Sequence, residues 1–455
     1  ALPELERRVD AGALAHLLAF LTTPAEQSIL AGVRKLPPAH RLVASPHERR
    51  VERYWDVHFE PGAPAREDDL VDELRAKLDE AVRLHMVSDV PIGAFLSGGV
   101  DSSAVVAMMA RASSRPVKTF SIGFREQDFD ELRYARQVAR AFGTDHHEEI
   151  VEPDVLPSLE DLVWHLDEPF GDSSAIPTYV VSRLARREVT VVLSGDGGDE
   201  LFGGYDRYLV EQRERRLDWL PGVARALVGI VGDALPAGTR GKNFLRHRAL
   251  AGPARYLAAQ TLFPRDERAR LLAPELAAEL DLDAPERAAA DYLARAGDWL
   301  SGTQDLDLHA YLPLDILTKV DRTSMACSLE ARVPLLDHEL VELAARIPAE
   351  LRLHGTTTKY LFKRALRGML PDTIIERRKQ GFAVPLGRWF RGRLNEVARD
   401  VLLGERARTR GLLDPAAVRD VLDAPARGRD LDLQTWTLLS LELWCRLVLD
   451  QGRAA

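Results

Sequence analysis

The sequence predicts an α/β fold, in which a parallel sheet is flanked by helices and followed by a mostly helical C-terminal part. Three observations support this. Short apolar runs alternate with helical patterns between residues 70 and 193, two of those runs end directly in loops of glycine, serine and acid, and the chain after residue 207 is rich in Arg, Ala and Leu. Strands that alternate with helices imply right-handed crossovers and therefore parallel strands.

The individual elements follow from the spacing of the apolar residues. Residues 70–86 place Leu, Val and Met at helical intervals, which predicts a helix. The predicted strands are 91–96, 117–124, 146–151 and 189–193, and the predicted helices beside them are 100–112, 131–142, 155–166 and 177–187. Further helices are predicted over 308–329, 337–347, 357–369 and 433–449, and residues 207–310 predict shorter helices broken by Pro and Gly.

Two domains are predicted, one over residues 1–60 and one over 61–455. The first contains a helical stretch, an alternating segment with a Pro-Pro break and the sequence RYWD, so we expect the tail of an N-terminal domain and its linker. A polar stretch rich in Pro and Gly, PGAPAREDD at 61–69, marks the boundary.

Composition excludes several classes of function. A net charge of −9 argues against a nucleic-acid-binding surface, and no run of 18 uncharged apolar residues is present to cross a membrane. The N-terminus lacks the apolar core of a signal peptide. The two cysteines, Cys327 and Cys445, lie far apart and indicate neither a disulfide framework nor a zinc site. We therefore expect a cytoplasmic protein.

The first candidate loop lies in PIGAFLSGGVDSS, residues 91–103. Gly98 and Gly99 allow left-handed backbone and close approach of a ligand, and the following helix offers free N–H groups to an anion such as phosphate. Ser97 and Ser102 add hydroxyl donors. Asp101 is a carboxylate beside a phosphate site, which predicts a bound cation, usually Mg²⁺. The loop matches neither the Walker A pattern nor the dinucleotide fingerprint G-x-G-x-x-G.

The second candidate loop follows the strand 189–193 and reads SGDGGDE at residues 194–200. We expect Asp199 to lie opposite Asp101 as a second Mg²⁺ ligand, and Asp196 to act as a base or to orient a nucleophile. Gly195 offers backbone to an adenine or ribose. Ligands of parallel sheets bind at the carboxyl ends of the strands, so the prediction requires 91–96 and 189–193 to be neighbours.

The first loop resembles the pyrophosphate-binding loop SGGxDS of the ATP pyrophosphatases. More broadly, residues 60–400 resemble the synthetase part of the glutamine-hydrolysing asparagine synthetase family. The matching segments are LSGGVDSS (96–103), FSIGF (120–124), GTDHHE (143–148), DEPFGDSSAIPTY (167–179), VVLSGDGGDELFGGY (191–205), KVDRTSMACSLEARVPLLD (319–337), KYLFKRAL (359–366) and RRKQGFAVPL (377–386). The resemblance implies a Rossmann-like sheet of the ATP pyrophosphatase type.

The resemblance also implies roles for individual residues. The residues expected to bind ATP are Leu96, Ser97, Gly98, Gly99, Asp101, Ser102, Ile122, Ser194 and Gly195. Asp101 and Asp199 are expected to hold Mg²⁺. Asp196 matches an acid needed to form or use the acyl-adenylate, and Lys359 matches a lysine that stabilises charge on the transferring phosphoryl group. The stretch 324–337, with Glu330 and Arg332, is expected to shape the amino-acid pocket.

The function that the resemblance implies is a ligase of asparagine biosynthesis. It amidates aspartate through β-aspartyl-AMP, releasing AMP and pyrophosphate. Family members begin with a glutaminase domain whose N-terminal Cys is the nucleophile, but this sequence begins with Ala1 and has no Cys before Cys327. Residues 24–56 resemble only the last part of that domain. We therefore expect ammonia as the nitrogen source and no hydrolysis of glutamine by this chain, and a homodimer stays open.

Two alternatives remain open. Relatives of the family adenylate other carboxylates and close β-lactam or macrolactam rings with an internal amine. The stretch SMACSLEARVPLLD favours asparagine formation, because it is nearest the commonest family pattern. A non-catalytic nucleotide-binding module is the other alternative, and the presence of every acid in both loops, with Lys359, argues against it.

Overall fold

The computed structural model describes residues 6–60, 62, 66–126, 131–151, 156–216, 218–235, 239, 241–378, 381 and 384–450. Parts of five predicted features lie outside the described residues. These are the start of the segment 1–60, most of the first half of the stretch 61–69, the first residue of the helix predicted over 155–166, five residues of the segment 207–310 (217, 236–238 and 240), and the middle of the motif 377–386.

The described residues form the strands β1 (His40–Ala44), β2 (Arg49–Arg53), β3 (Ile92–Phe95), β4 (Lys118–Phe124), β5 (Asp145–Val151), β6 (Val191–Leu193), β7 (Glu330–Arg332), β8 (Leu353–His354) and β9 (Thr357–Thr358). The centre of the fold is a five-stranded parallel sheet with the strand order β5-β4-β3-β6-β7, and β1 with β2 and β8 with β9 form two separate two-stranded sheets. The α/β class and all four predicted strands are confirmed. The required adjacency is also confirmed, because β3 pairs with β6 along Ile92–Ala94.

Helices surround the sheet. They are α1 (Ala11–Phe20), α2 (Glu67–His85), α3 (Val100–Ala112), α4 (Leu132–Phe142), α5 (Leu156–His165), α6 (Ala175–Arg186), α7 (Gly198–Phe202), α8 (Asp206–Arg215), α9 (Gly222–Ala234), α10 (Lys242–Ala249), α11 (Gly252–Gln260), α12 (Arg265–Leu271), α13 (Pro274–Glu279), α14 (Ala284–Leu293), α15 (Trp299–Leu306), α16 (Thr318–Ala326), α17 (His338–Arg346), α18 (Ala349–Arg352), α19 (Tyr360–Leu366), α20 (Asp372–Ile375), α21 (Leu386–Trp389), α22 (Arg393–Leu402), α23 (Glu405–Arg410), α24 (Pro415–Leu422) and α25 (Asp432–Trp444). Among these helices, none combines the length and the apolar character needed to span a bilayer.

Two predicted helices differ in the structure, and one strand is present that was not predicted. The predicted helix 308–329 is a π-helical segment, Asp307–Leu317, continued by α16, because Pro313 has no N–H to donate within a regular helix. The strand β7 follows α16 where no strand was predicted. The predicted helix 357–369 is shortened to Tyr360–Leu366, because β9 pairs with β8 in a hairpin just before it.

Two apolar clusters cover the two faces of the sheet. Val192 and Leu193 belong to different clusters, as expected because successive side chains of a strand point to opposite faces. One cluster joins α2, α3, α17 and α19, and the other joins α1, α5, α6 and α25. Since α1 packs into the second cluster, the N-terminal segment shares its core with the sheet. The domain boundary at residue 60 stays a prediction.

A charged contact ties the N-terminal segment to the helical part of the chain. His309 Nε2 lies 2.8 Å from Asp56 Oδ1, and its Nδ1 lies 3.2 Å from Asp305 Oδ1. Arg295 also pairs with Asp56, at 2.9 Å. Burial lowers the pKa of His309, but Asp305 and Asp56 outweigh burial and the pKa lies above its ordinary value.

This contact makes a pH-dependent contribution to stability. A raised pKa in the folded state means that protonated His309 stabilises fully below about pH 6.5 and that this stabilisation is lost as the pH rises through the folded-state pKa. We predict that His309→Gln lowers the free energy of unfolding by about 1.5–3 kcal/mol at pH 6 and by less at pH 9. Urea unfolding across this range measures the difference. His338→Gln, at an exposed site, serves as control, and an equal loss at both pH values would contradict the assignment.

Candidate active site

The two candidate loops lie side by side at the carboxyl edge of the sheet. The first follows β3 and leads into α3, and the second follows β6 and leads into α7. Together they border a cavity of about 440 Å³. The predicted site residues that line it are Leu96, Ser97, Gly99, Asp101, Ser102, Ile122, Ser194, Gly195, Asp196, Asp199 and Lys359. The sheet therefore brings together every predicted ATP, metal and catalytic residue at the cavity except Gly98, which packs against α4.

The first loop is held by its serines. Ser97 Oγ accepts a hydrogen bond from the backbone N–H of Gly99 at 3.3 Å and lies 3.0 Å from Ser102 Oγ. No side chain caps α3, which begins at Val100. A helix N-terminus without a side-chain cap is what an anion site of this kind requires.

Gly98 has a structural reason to be glycine. Its φ is +71°, in the left-handed region, and a Cβ at this position would lie 2.5 Å from backbone atoms of Tyr134 and Ala135 in α4. The backbone of the first loop therefore packs directly on the backbone of α4 at Gly98.

The second loop touches the first through its glycines. A Cβ on Gly195 would lie 2.5 Å from the backbone nitrogen of Ser102, and one on Gly198 would lie 2.5 Å from Asp101 Oδ1. Ser194 Oγ donates a hydrogen bond of 2.5 Å to Asp196 Oδ2, which fixes that carboxylate at the cavity wall. The absence of side chains at Gly195 and Gly198 is what allows the loops to meet.

Lys359 lies between the two acids predicted to bind metal. Its Nζ is 2.5 Å from Asp101 Oδ2 and 2.7 Å from Asp199 Oδ1, and its side chain is 3% exposed. The backbone of Lys359 is left-handed, with φ of +53°, at the junction of β9 and α19. A non-glycine residue in this conformation is strained, and such strain concentrates at functional sites.

The same geometry fits a divalent cation. Asp101 and Asp199 converge on the Lys359 ammonium group from two helices. Mg²⁺ in nucleotide sites takes few protein carboxylates because phosphate and water supply its other ligands. Within the described residues, no group of three or more His, Cys, Asp or Glu side chains forms a self-sufficient metal cage. The residues thus fit Mg²⁺ that arrives with a nucleotide.

A second buried lysine, which sequence reasoning missed, lies across the cavity. Lys319 Nζ donates to Asp172 Oδ2 at 2.6 Å and to Ser174 Oγ at 2.7 Å. Burial raises the pKa of Asp172, but Lys319 outweighs it and the pKa falls to about 2. Burial, reinforced by Asp172, raises the pKa of Asp315 well above its ordinary range. The only sequence signal was that the motifs DEPFGDSS and KVDRTS carry polar residues without an assigned role.

Glu200, the third acid of the second loop, is also buried at the cavity. It accepts a 2.5 Å hydrogen bond from the hydroxyl of Tyr205. Burial and the charge of Asp199 raise the pKa of Glu200 to about 7. Glu200 therefore has a pKa above its ordinary value, whereas Asp199 pairs with the Lys359 ammonium group.

The expected role of Glu330 and Arg332 in an amino-acid pocket stays a prediction. Both belong to the edge strand β7, where they pair with each other at 2.6 Å. Arg332 also donates to the carbonyls of His85 and Val87, outside the cavity. Their charges are thus used to join β7 to the end of α2.

The contact between the loops predicts the effect of one methyl group. In Gly195→Ala the new Cβ meets the α3 backbone, which cannot turn aside as a side chain does. We expect a loss of about 1–3 kcal/mol in unfolding free energy and weaker ATP binding, measured by urea unfolding and calorimetric titration. Gly222→Ala, where a Cβ meets nothing within 4 Å, is the control. Wild-type stability and ATP affinity in Gly195→Ala would contradict the packing described.

Comparison with known proteins gives a consistent assignment. A family model described as asparagine synthase matches residues 73–446. The chain is 37% identical over 450 residues to a putative glutamine-hydrolysing asparagine synthetase of Mycobacterium bovis. It is 33% identical over 444 residues to glutamine-hydrolysing asparagine synthetase 1 of Bacillus subtilis. Each match covers 96% of this chain and 68% of the relative.

A more distant match is named amidase chyE, of Penicillium rubens, with 26% identity over 443 residues, covering 86% of this chain and 64% of that protein. The family model covers most of the chain, including both loops and Lys359. The chain therefore belongs to the asparagine synthase family, whose members use ATP to form amides.

Proposed function

We propose that the protein activates the side-chain carboxylate of aspartate with ATP and transfers the acyl group to ammonia, forming asparagine, AMP and pyrophosphate. The observation that carries the proposal is the meeting of two glycine loops, two acids and a buried lysine at one cavity, where neighbouring parallel strands end. Binding and cleavage of a nucleoside triphosphate need these features, namely N–H donors for the phosphate oxygens and fixed positive charge to offset the charge of the phosphates.

In this proposal the first loop holds the pyrophosphate end of ATP. Ser97, Gly98, Gly99 and Ser102 supply hydroxyl and backbone donors at the start of α3. Leu96, Ile122, Ser194 and Gly195 border the nucleotide from the strand ends. A carboxylate oxygen of aspartate attacks the α-phosphorus, the bond from that phosphorus to the bridging oxygen breaks, and pyrophosphate leaves with the electron pair.

Asp101 and Asp199 are the residues that would hold Mg²⁺, which offsets phosphate charge when it is bound. Lys359 adds a fixed cation that is already oriented by the two acids and excluded from water. A preorganised charge of this kind is effective because it needs no reorganisation as the negative charge moves toward the leaving group.

The nitrogen step is proposed to use Asp196. Ammonia attacks the acyl carbon of β-aspartyl-AMP, the bond to the AMP oxygen breaks, and the nitrogen loses a proton. Asp196 Oδ2 is held by Ser194 at the cavity wall, where a carboxylate can accept that proton. The relatives are named glutamine-hydrolysing, so glutamine is the proposed nitrogen source where a glutaminase domain accompanies this one.

Pyrophosphate release by the purified chain tests the proposal. The reaction is run with ATP and Mg²⁺ in three mixtures, containing aspartate with ammonium, aspartate with glutamine, or no amino acid. We expect aspartate-dependent pyrophosphate and asparagine formation with ammonium. If ATP binds but the release of pyrophosphate does not depend on aspartate, the proposed substrate is contradicted.

A lysine substitution tests the proposed charge balance. We predict that Lys359→Ala lowers kcat by about 100-fold or more, because the fixed ammonium group that would offset the charge moving to the leaving group is lost. ATP affinity, measured by calorimetry, changes much less. Lys77→Ala, which removes a partly exposed lysine outside the cavity, is the matched control. A Lys359→Ala variant with the wild-type rate would remove this lysine from the mechanism.

A further inference from the structure

We propose that Arg377 is a positioning residue that clamps the first loop, residues 97–99, against α4 and thereby sets the affinity for ATP. Arg377 follows α20 and lies at the cavity. Sequence reasoning gave it no role, although it opens the motif 377–386.

The clamp consists of three contacts made by one guanidinium group. Arg377 Nη1 donates to the carbonyl oxygen of Ser97 at 3.3 Å, and Nη2 pairs with Glu131 at the start of α4. The guanidinium carbon also lies 4.0 Å from the centre of the Tyr134 ring. The side chains of Arg377 and Glu131 are 6% and 12% exposed, so their ion pair has little competition from water, whereas the contact with the Ser97 carbonyl is exposed.

These partners are the groups that define the position of the loop. Tyr134 is the residue whose backbone packs on Gly98, and Glu131 occupies the N-cap position of the helix that carries Tyr134. The Ser97 carbonyl belongs to the planar peptide group that also contains the N–H of Gly98. Fixing the oxygen therefore fixes the direction of that N–H.

The two glycines of the first loop are the reason why a clamp would improve ATP binding. Gly98 and Gly99 permit many backbone conformations, and a flexible loop must lose that freedom when it binds phosphate. A planar guanidinium can donate in two directions and stack on a ring at the same time, which an ammonium group cannot do. Arg377 thus preorganises the loop before the nucleotide arrives.

Hydrogen exchange of the protein without ATP is the first test. In Arg377→Gln we expect the amides of Gly99 and Ser103, which donate to Ser97 Oγ and to the Gly99 carbonyl, to exchange about tenfold faster than in the wild type, since a charge-assisted hydrogen bond that holds the loop is lost. Arg133→Gln is the matched control, because Arg133 lies 4.4 Å over the same ring but is not a cavity residue. In the Arg133→Gln variant we expect the amides of the first loop to exchange at the wild-type rate.

Kinetics is the second test, and its interpretation depends on the proposed function. We expect Arg377→Gln to raise KM for ATP about tenfold with a smaller change in kcat, and Arg377→Lys to restore only part of the affinity. Glu131→Gln, which keeps Arg377 but loosens its anchor, should change exchange and KM in the same direction. This variant tests the clamp if Arg377→Gln does not fold.

Three results would overturn the inference. Unchanged exchange with a raised KM would mean that Arg377 binds phosphate directly, unchanged exchange and KM would mean that it has no role, and equal effects in Arg133→Gln would mean a general loss of charge. An inactive wild type would contradict the proposed function alone, since the exchange experiment needs no substrate.

Discussion

The ion cluster of Lys359 with Asp101 and Asp199 is the interaction on which the site depends. Each residue stands at the start of a different helix, α3, α7 or α19, so the cluster defines where three elements converge. All three side chains are largely buried. Buried ion pairs contribute little net stability, because desolvation offsets their attraction. The cluster is therefore better explained by the need to keep two acids within reach of one cation.

Sheet topology makes this cluster attainable. β3 lies between β4, which follows it in the chain, and β6, which comes about a hundred residues later. The chain order thus reverses at β3, and a crevice opens at such a point beyond the carboxyl ends of the strands. Gly195 and Gly198 then let the second loop contact the backbone and side chain of the first. Asp101 and Asp199 lie close together because β3 and β6 are neighbours and because Gly195 and Gly198 have no side chains to separate the loops.

Much of this arrangement could be predicted from the sequence, because the strands before both loops are short apolar runs bounded by glycine. The adjacency of β3 and β6 followed from placing both loops in one crevice. The strand β7 was missed because its three residues include Glu330 and Arg332 and show no apolar pattern. The contact of Lys319 with Asp172 joins residues 147 positions apart, and the left-handed backbone of Lys359 follows directly after the β8–β9 hairpin. Neither the contact nor the backbone conformation can be inferred from the residues next to it in sequence.

The central claim is that aspartate attacks the α-phosphorus of ATP in this cavity. Aspartate whose side-chain carboxylate carries heavy oxygen tests it most directly, with the products separated and weighed by mass spectrometry. The proposed reaction transfers one heavy oxygen to AMP and leaves pyrophosphate unlabelled. Heavy oxygen in inorganic phosphate, with ADP as the other product, would show attack at the γ-phosphorus instead and would contradict the account.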